Sequence, residues 1–223
     1  MWCIAGNLTR EYVERMEDLL DLFAKPYNPA EPVVCLDEKP VKLHAEVRKP
    51  KPALSGRIAK RDAEYERCGT ANVFCIVEPR AGRHMTRATR KRTAKDFARE
   101  LKRIAKKYPD AATIHLVMDN LNTHSCKSLT KAFGEKEGLE IWNRFTIHYT
   151  PKHGSWLNQA EIEVSLFSRQ CLGKLRISSF EDLKKRTAAW NRQANRKKIR
   201  INWKLTKRQA RKKFIYDKRK LQN

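Results

Sequence analysis

The chain alternates short apolar runs with longer amphipathic stretches, and the two patterns predict different elements. Apolar runs bounded by proline or polar residues are typical of buried strands, whereas apolar residues at helical spacing predict helices. The predicted strands are residues 33–36, 71–77, 84–89, 113–118 and 145–149. The predicted helices are residues 9–24, 93–107, 125–143, a segment capped by Ser155 or Asn158 that runs through Gln170, and residues 180–198.

The order of these elements predicts an α/β fold. A turn at residues 78–82 joins the second and third strands into a hairpin, and helices connect the later strands. A hairpin followed by helix-connected strands indicates a mixed sheet with helices on its faces. Residues 42–70 are rich in Lys and Arg and contain Pro50 and Pro52. They are predicted to form a loop or irregular hairpin, whose basic side chains either contact phosphate or face solvent.

Composition points to a polyanionic partner. The chain has 49 Lys and Arg against 25 Asp and Glu, a net charge of +24. Nucleic acid is the partner such a charge favours, with an acidic membrane surface as the weaker alternative. No apolar run is long enough to span a bilayer, and residues 1–6 lack the features of a secretory signal. The six cysteines form no CxxC pair, so we expect a reducing cytoplasm without a disulfide framework or a zinc site.

The positive charge is concentrated at the C-terminus. The final 40 residues contain 17 Lys and Arg and one acid, Asp217. We expect this segment to bind backbone phosphate without reading bases, although a solvated basic face is the alternative. The residues expected to contact DNA here are Arg192, Arg196, Lys197, Lys198 and Arg200. The chain is therefore divided into an N-terminal helix and linker (1–30), a core (31–178) and a basic helical segment (179–223).

Two aspartates, Asp37 and Asp119, each close a predicted buried strand. One such aspartate is usually a turn or capping residue, but two on neighbouring strands would converge on one site. A third acid is Glu161 or Glu163, which point about 200° apart if they lie on a helix. Only one of them can face the sheet, and the apolar periodicity around them does not settle which.

Three carboxylates without a cysteine or histidine cluster suit hard divalent cations, Mg²⁺ or Mn²⁺. Two such ions at one site would activate an attacking water or sugar hydroxyl and stabilise the leaving oxygen of a phosphodiester. The positive charge elsewhere on the chain would then hold the nucleic acid.

Three segments carry a resemblance to a known family: Cys35–Glu38, Met118–His124 and Tyr149–Glu161. They resemble the signatures of bacterial insertion-sequence DDE transposases of the mariner superfamily, of the insertion sequence 630 type. The resemblance covers nearly the whole chain and implies an RNase H-like catalytic domain.

Carried over residue by residue, the resemblance implies that Asp37, Asp119 and Glu161 are the catalytic metal ligands. It therefore favours Glu161 over Glu163. It makes His124 a candidate to contact DNA or to support a metal ligand. Lys152 and His153, within the third signature, are further candidate DNA contacts.

The implied activity is metal-dependent cleavage of double-stranded DNA at transposon ends and strand transfer to target DNA. The implied biological unit is a homodimer in the bacterial cytoplasm, associated with the nucleoid.

The chain departs from the family pattern in two ways. The 41 residues between Asp119 and Glu161 are more than is usual in the superfamily. The chain is also expected to lack the family's N-terminal helix-turn-helix modules, as a fragment, a truncated copy or one of two reading frames would.

Two other functions remain open from the sequence. An RNase H-like nuclease would share the acids and cleave without joining strands. A non-catalytic basic DNA-binding protein would account for the charge but not for the acids.

Overall fold

A computed structural model describes residues 8–216, which form one six-stranded sheet and seven α-helices. The strands are β1 (Val33–Glu46), β2 (Tyr65–Glu78), β3 (Arg83–His84), β4 (Arg87–Thr89), β5 (Ile114–Met118) and β6 (Phe145–Tyr149). The helices are α1 (Arg10–Ala24), α2 (Ala94–Lys107), α3 (Cys126–Phe133), α4 (Glu135–Trp142), α5 (Ala160–Phe167), α6 (Phe180–Lys197) and α7 (Lys207–Phe214).

The sheet is mixed, which confirms the predicted α/β class. Its strand order is β3-β2-β1-β5-β6, and β4 pairs with β2 beside β3. β1 and β2 are antiparallel, whereas β1, β5 and β6 run parallel to one another. The carboxyl ends of β5 and of the parallel part of β1 therefore meet at the same edge of the sheet.

Apolar side chains alternate between the two faces along the strands, so each face of the sheet has its own hydrophobic core. Leu36, Phe74 and Leu116 are buried in one core with residues of α2. Their sequence neighbours Cys35 and Val117 are buried on the opposite face with residues of α1. Because strand side chains alternate between faces, each helix layer is matched to one set of strand positions.

β1 is longer than predicted, and this corrects the position of Asp37. The strand continues past Asp37 and Pro40 to Glu46, paired with β2 all the way. A proline is tolerated here because the parallel pairing with β5 ends at Cys35, so β1 has a partner on one side only. Asp37 thus lies within β1, just beyond the parallel part, and not at the end of the strand.

The segment 42–70 forms the predicted irregular hairpin, with regular strand at its two ends, residues 42–46 and 65–70. Val41 and Leu43 are buried while Lys42 is exposed, an alternation typical of a strand. Residues 47–64 complete the hairpin irregularly, with isolated bridges between Lys51 and Lys60 and between Leu54 and Arg57.

Most predicted helices are confirmed, two of them with their caps. Thr9 caps α1, and Thr93 forms a reciprocal capping box with Asp96 at the start of α2. The predicted helix 125–143 is broken at Gly134, whose φ of 86° lies in the region that favours glycine. The helix predicted to run through Gln170 is α5 followed by a π-helical turn, Ser168–Leu172.

The basic C-terminal segment packs against the N-terminal helix. Arg211 on α7 donates to both carboxylate oxygens of Glu17 on α1, at 2.7 and 2.9 Å, and Lys207 pairs with Asp21. The parts of the predicted terminal segments at residues 1–7 and 217–223 lie outside the described residues. Within residues 8–216, no helix combines the length and apolar character needed to cross a membrane.

Candidate active site

Asp37 lies on the face of β1 that α5 covers, and its carboxyl is unusually basic. Burial raises its pKa to about 7, the backbone N–H of Glu38 opposes this, and the negative charges of Glu161 and Asp119 add to it. The Glu38 N–H donates to Asp37 Oδ1 at 2.7 Å. Because charge interactions weaken with distance, Asp37 shares one region with both of these acids.

Asp119 follows β5 directly, as predicted, and is held by a buried histidine. His124 Nδ1 lies 2.6 Å from Asp119 Oδ1 and 3.1 Å from the Asp119 carbonyl oxygen. His124 Nε2 lies 3.3 Å from Glu38 Oε1, and the ring stacks on Phe97 with centroids 4.5 Å apart. Burial would lower the pKa of His124, but its hydrogen bonds to Asp119 and Glu38 outweigh burial and raise the pKa to about 9. The imidazolium therefore bridges β1 and the loop after β5.

The structure separates the two glutamates that the sequence left open. Glu163 is fully buried, and its carboxylate accepts hydrogen bonds from Thr86 and from His84. Glu161 is partly exposed and is the glutamate whose charge acts on Asp37. Of the two, Glu161 is the one that is not already engaged in a buried ion pair.

Asn158 connects the start of α5 to β1. Its side-chain amide donates to the Leu36 carbonyl at 2.8 Å and accepts from the Ala160 N–H at 3.0 Å. Leu36 immediately precedes Asp37, so this bond fixes the first turn of α5 beside the candidate site. The sequence proposed Asn158 as a possible helix cap, but the N-cap of α5 is Gln159, and Asn158 instead ties the helix to the sheet.

The candidate DNA contacts fall into two groups. Lys152 and His153 are exposed in the turn after β6, where His153 adopts a φ of 64°, which is uncommon for a residue other than glycine. The five basic residues predicted on and after α6 are also exposed: Arg192, Arg196, Lys197, Lys198 and Arg200. All seven are available to phosphate, and a direct contact with DNA remains a prediction for each.

His124 differs from these residues because its side chain is only 1% exposed. A ring so enclosed, with both nitrogens engaged, cannot reach DNA in this conformation. Of the two roles expected for His124, these contacts favour support of Asp119, and contact with DNA stays a prediction.

The donor set suits a divalent cation. Carboxylate oxygens are the ligands that Mg²⁺ and Mn²⁺ prefer. Burial is the main cause of the raised pKa of Asp37, and the negative charges of Glu161 and Asp119 raise it further. As the side chains stand, no group of three His, Cys, Asp or Glu within residues 8–216 is arranged to hold a metal ion. Shared coordination by Asp37, Asp119 and Glu161 therefore requires their side chains to rotate towards one another.

Several residues that shape this site gave no signal in the sequence. Glu38 was seen only as the neighbour of Asp37, yet it is the second acid that holds His124. His84 and Thr86 lie in the hairpin that follows β2, and they bind Glu163, which comes 79 and 77 residues later in the chain. Only contacts between residues distant in sequence reveal these roles.

The raised pKa of Asp37 predicts a pH dependence for the metal-free protein. Between about pH 4 and pH 7 the unfolded chain has lost the Asp37 proton, whose ordinary pKa is 3.8, while the folded protein retains it. The unfolded chain is therefore favoured by an ionisation that the folded protein does not undergo, and the free energy of unfolding falls as pH rises through this range. We expect the Tm of Asp37→Asn, relative to wild type, to increase from pH 4 to pH 7.

This dependence is measured by thermal unfolding in EDTA at several pH values. The matched control is Asp110→Asn, which removes a carboxylate from the exposed turn before β5 and should shift Tm by the same small amount at every pH. A constant difference between Asp37→Asn and wild type would show that Asp37 ionises normally.

Comparison with known proteins places the chain in context. The model of a family described as DDE superfamily endonuclease matches residues 32–184, more than half of the chain. A search of curated protein sequences finds no match.

Solved structures give a likeness of fold. The Mos1 mariner paired end complex with Mn matches with a TM-score of 0.57 and 15% identity, covering 88% of this chain and 61% of that one. The Mos1 strand transfer complex matches with a TM-score of 0.54 and 16% identity, covering 88% and 60%. The Mos1 paired end complex with Mg matches with a TM-score of 0.53 and 16% identity, covering 88% and 62%. The chain thus spans about three fifths of these proteins, and the likeness confirms the predicted RNase H-like fold.

Proposed function

Because the chain belongs to the DDE superfamily of endonucleases, we propose that it is the catalytic domain of a transposase. It would cleave DNA at transposon ends and transfer the resulting 3′ end to target DNA. The observation that carries this proposal is that Asp37, Asp119 and Glu161 share one region: burial raises the pKa of Asp37, and the negative charges of the other two acids raise it further. A structural role would not need three acids brought together where they destabilise one another.

In this proposal Asp37, Asp119 and Glu161 hold two divalent cations, Mg²⁺ or Mn²⁺. Such ions, when bound, lower the pKa of the attacking hydroxyl and stabilise the leaving oxygen of a phosphodiester. The His124 imidazolium keeps Asp119 beside β1, and Asn158 keeps α5 beside Asp37. The neighbouring Mos1 structures named as complexes with Mn and with Mg support this choice of cofactor.

The proposed partner is double-stranded DNA, bound through the exposed cations of α6 and of the turn after β6. The net charge of +24 supports a polyanionic partner. Solved neighbours described as a paired end complex and a strand transfer complex support transposon-end and target DNA. A homodimer, and a bacterial cytoplasmic protein of the insertion sequence 630 type, remain predictions from the sequence resemblance.

The experiment that tests this function is a strand-transfer assay. The protein is incubated in Mg²⁺ with a labelled duplex that ends in the element's 3′ sequence, and with a supercoiled target plasmid. We expect Mg²⁺-dependent nicking, and labelled DNA joined covalently to the plasmid. A parallel reaction in EDTA should give neither product.

Two other outcomes would assign a different function. Nicking without joining would favour a nuclease of the same fold, which shares the acids. DNA binding without metal-dependent nicking would favour a non-catalytic basic protein.

A further inference from the structure

Glu163 is a buried carboxylate that the proposed chemistry does not use. Its side chain is 0% exposed, in the first turn of α5. Thr86 Oγ1 donates to Glu163 Oε1 at 2.8 Å, and His84 Nδ1 lies 2.9 and 3.0 Å from its two oxygens. A buried charge is costly unless it is paired and hydrogen-bonded, and here it is both.

His84 completes this arrangement through contacts at both ring nitrogens. Nδ1 faces the Glu163 carboxylate, and Nε2 lies 3.0 Å from the Ile199 carbonyl oxygen. Both partners are oxygens, so the ring is held at both of its nitrogens. Its side chain is also 0% exposed, so the pair is enclosed away from solvent.

Helix α6 holds the backbone of the two residues that bind Glu163. Asn195 accepts from the His84 N–H at 2.9 Å and donates to the His84 carbonyl at 2.9 Å. Asn191, one turn earlier, donates to the Thr86 carbonyl. Both donors to Glu163 are therefore fixed by a third element, so their positions do not depend on α5.

From these contacts we propose that Glu163, held by His84 and Thr86, is a positioning residue for Glu161. The two glutamates point about 200° apart on α5, so fixing Glu163 against β3 and the residues before β4 fixes the direction of Glu161. Asn158 holds the start of the helix, and Glu163 holds its rotation. This inference rests on the proposed function, in which Glu161 is a metal ligand.

The alternative is that the pair only stabilises the fold. In that case its loss would lower Tm but leave the affinity for a divalent cation unchanged once the protein is folded. A positioning role predicts that cation affinity falls in the folded variant. It also predicts a lower kcat for DNA nicking with an unchanged KM for DNA, because the exposed cations that bind DNA stay in place.

The test is a titration of the purified protein with Mn²⁺ in the absence of DNA, followed by the electron paramagnetic resonance signal of the free ion. Glu163→Gln keeps the shape of the side chain and removes the charge that pairs with His84. We expect it to bind Mn²⁺ about tenfold more weakly, as is typical when a group that orients a metal ligand is lost. The nicking assay on the same protein supplies the kcat and KM comparison.

The matched control is Glu17→Gln, at another buried glutamate that anchors α7 through Arg211. It should lower Tm without changing Mn²⁺ affinity. Thr86→Val removes a single hydrogen bond to Glu163 and decides the question if Glu163→Gln does not fold. We expect Thr86→Val to give a smaller loss of affinity in the same direction.

The results separate the two proposals. If wild-type protein binds no Mn²⁺ that Asp119→Asn removes, the proposed function fails and the positioning role fails with it. If wild-type protein binds Mn²⁺ normally and folded Glu163→Gln or Thr86→Val binds it equally well, only the positioning role is overturned. An equal loss in Glu17→Gln would also overturn it, since the effect would then be general destabilisation.

Discussion

Asp119→Asn is expected to lower Mg²⁺-dependent DNA cleavage by about two to three orders of magnitude while DNA binding is retained. The amide keeps the size of the side chain but loses the charge through which Asp119 would hold the cation. DNA affinity should hold or rise slightly, because a negative charge that repels phosphate has gone. The measurements are a nicking assay in Mg²⁺ and a binding titration on the same preparation.

The contacts of Asp119 make the structural cost of this change small but measurable. Asp119 Oδ1 lies 2.6 Å from His124 Nδ1, and an amide in its place weakens that ion pair. His124 keeps its contacts with Glu38 and with the ring of Phe97, so the loop after β5 should remain in place. We therefore expect a cooperative thermal transition close to that of wild type.

Asp110→Asn is the control for the change of charge. Asp110 is exposed in the turn before β5, at the opposite end of that strand from Asp119. It should cleave and bind as wild type does. Cleavage by Asp119→Asn at the wild-type rate would remove Asp119 from the catalytic set and with it the DDE mechanism for this chain.

Local patterns were sufficient to predict most elements of the fold. Thr9 and Thr93 accept from helix N–H groups three residues later, so the caps could be predicted from neighbouring sequence. Asp119 directly after a buried strand could be placed for the same reason. These predictions depend on residues within one turn or one strand of each other.

The errors arose where distant residues decide the structure. The first strand was predicted at residues 33–36, but pairing with β2 carries β1 past Pro40 to Glu46, because β1 has no partner on its other side there and the missing N–H of proline is tolerated. Gly134 was included in a helix that its positive φ breaks. Neither the pairing partner of Pro40 nor the φ of Gly134 can be deduced from the surrounding residues alone.

The choice between Glu161 and Glu163 shows this limit at the site itself. Both lie on stripes of apolar residues along α5, so spacing gave no preference, and only the family resemblance favoured Glu161. In the structure, Glu163 is engaged by His84 and Thr86, which come from the hairpin near the start of the chain's core. A partner almost eighty residues away in sequence is what determines which acid can face Asp37.

The salt dependence of DNA binding is the second large effect that we expect. The logarithm of the affinity for duplex DNA falls with the logarithm of salt concentration by about 0.9 for each phosphate contact. The five exposed cations on and after α6 are close together in sequence and face solvent. If each contacts one phosphate, replacing all five with Gln should make the slope less negative by about 4.5 and weaken binding strongly at low salt.

A control with the same change in charge separates local contact from overall electrostatics. Five exposed cations of the helix layer on the other face of the sheet are replaced with Gln instead: Arg99, Lys106, Lys107, Lys131 and Lys136. Because these residues lie with α2, α3 and α4, away from α6, they should change the slope little. The idea that α6 holds the DNA backbone fails if both variants have the same slope, since net charge would then explain all of the binding. The idea is supported if only the α6 variant has a less negative slope, because counterions are released only where phosphates are contacted.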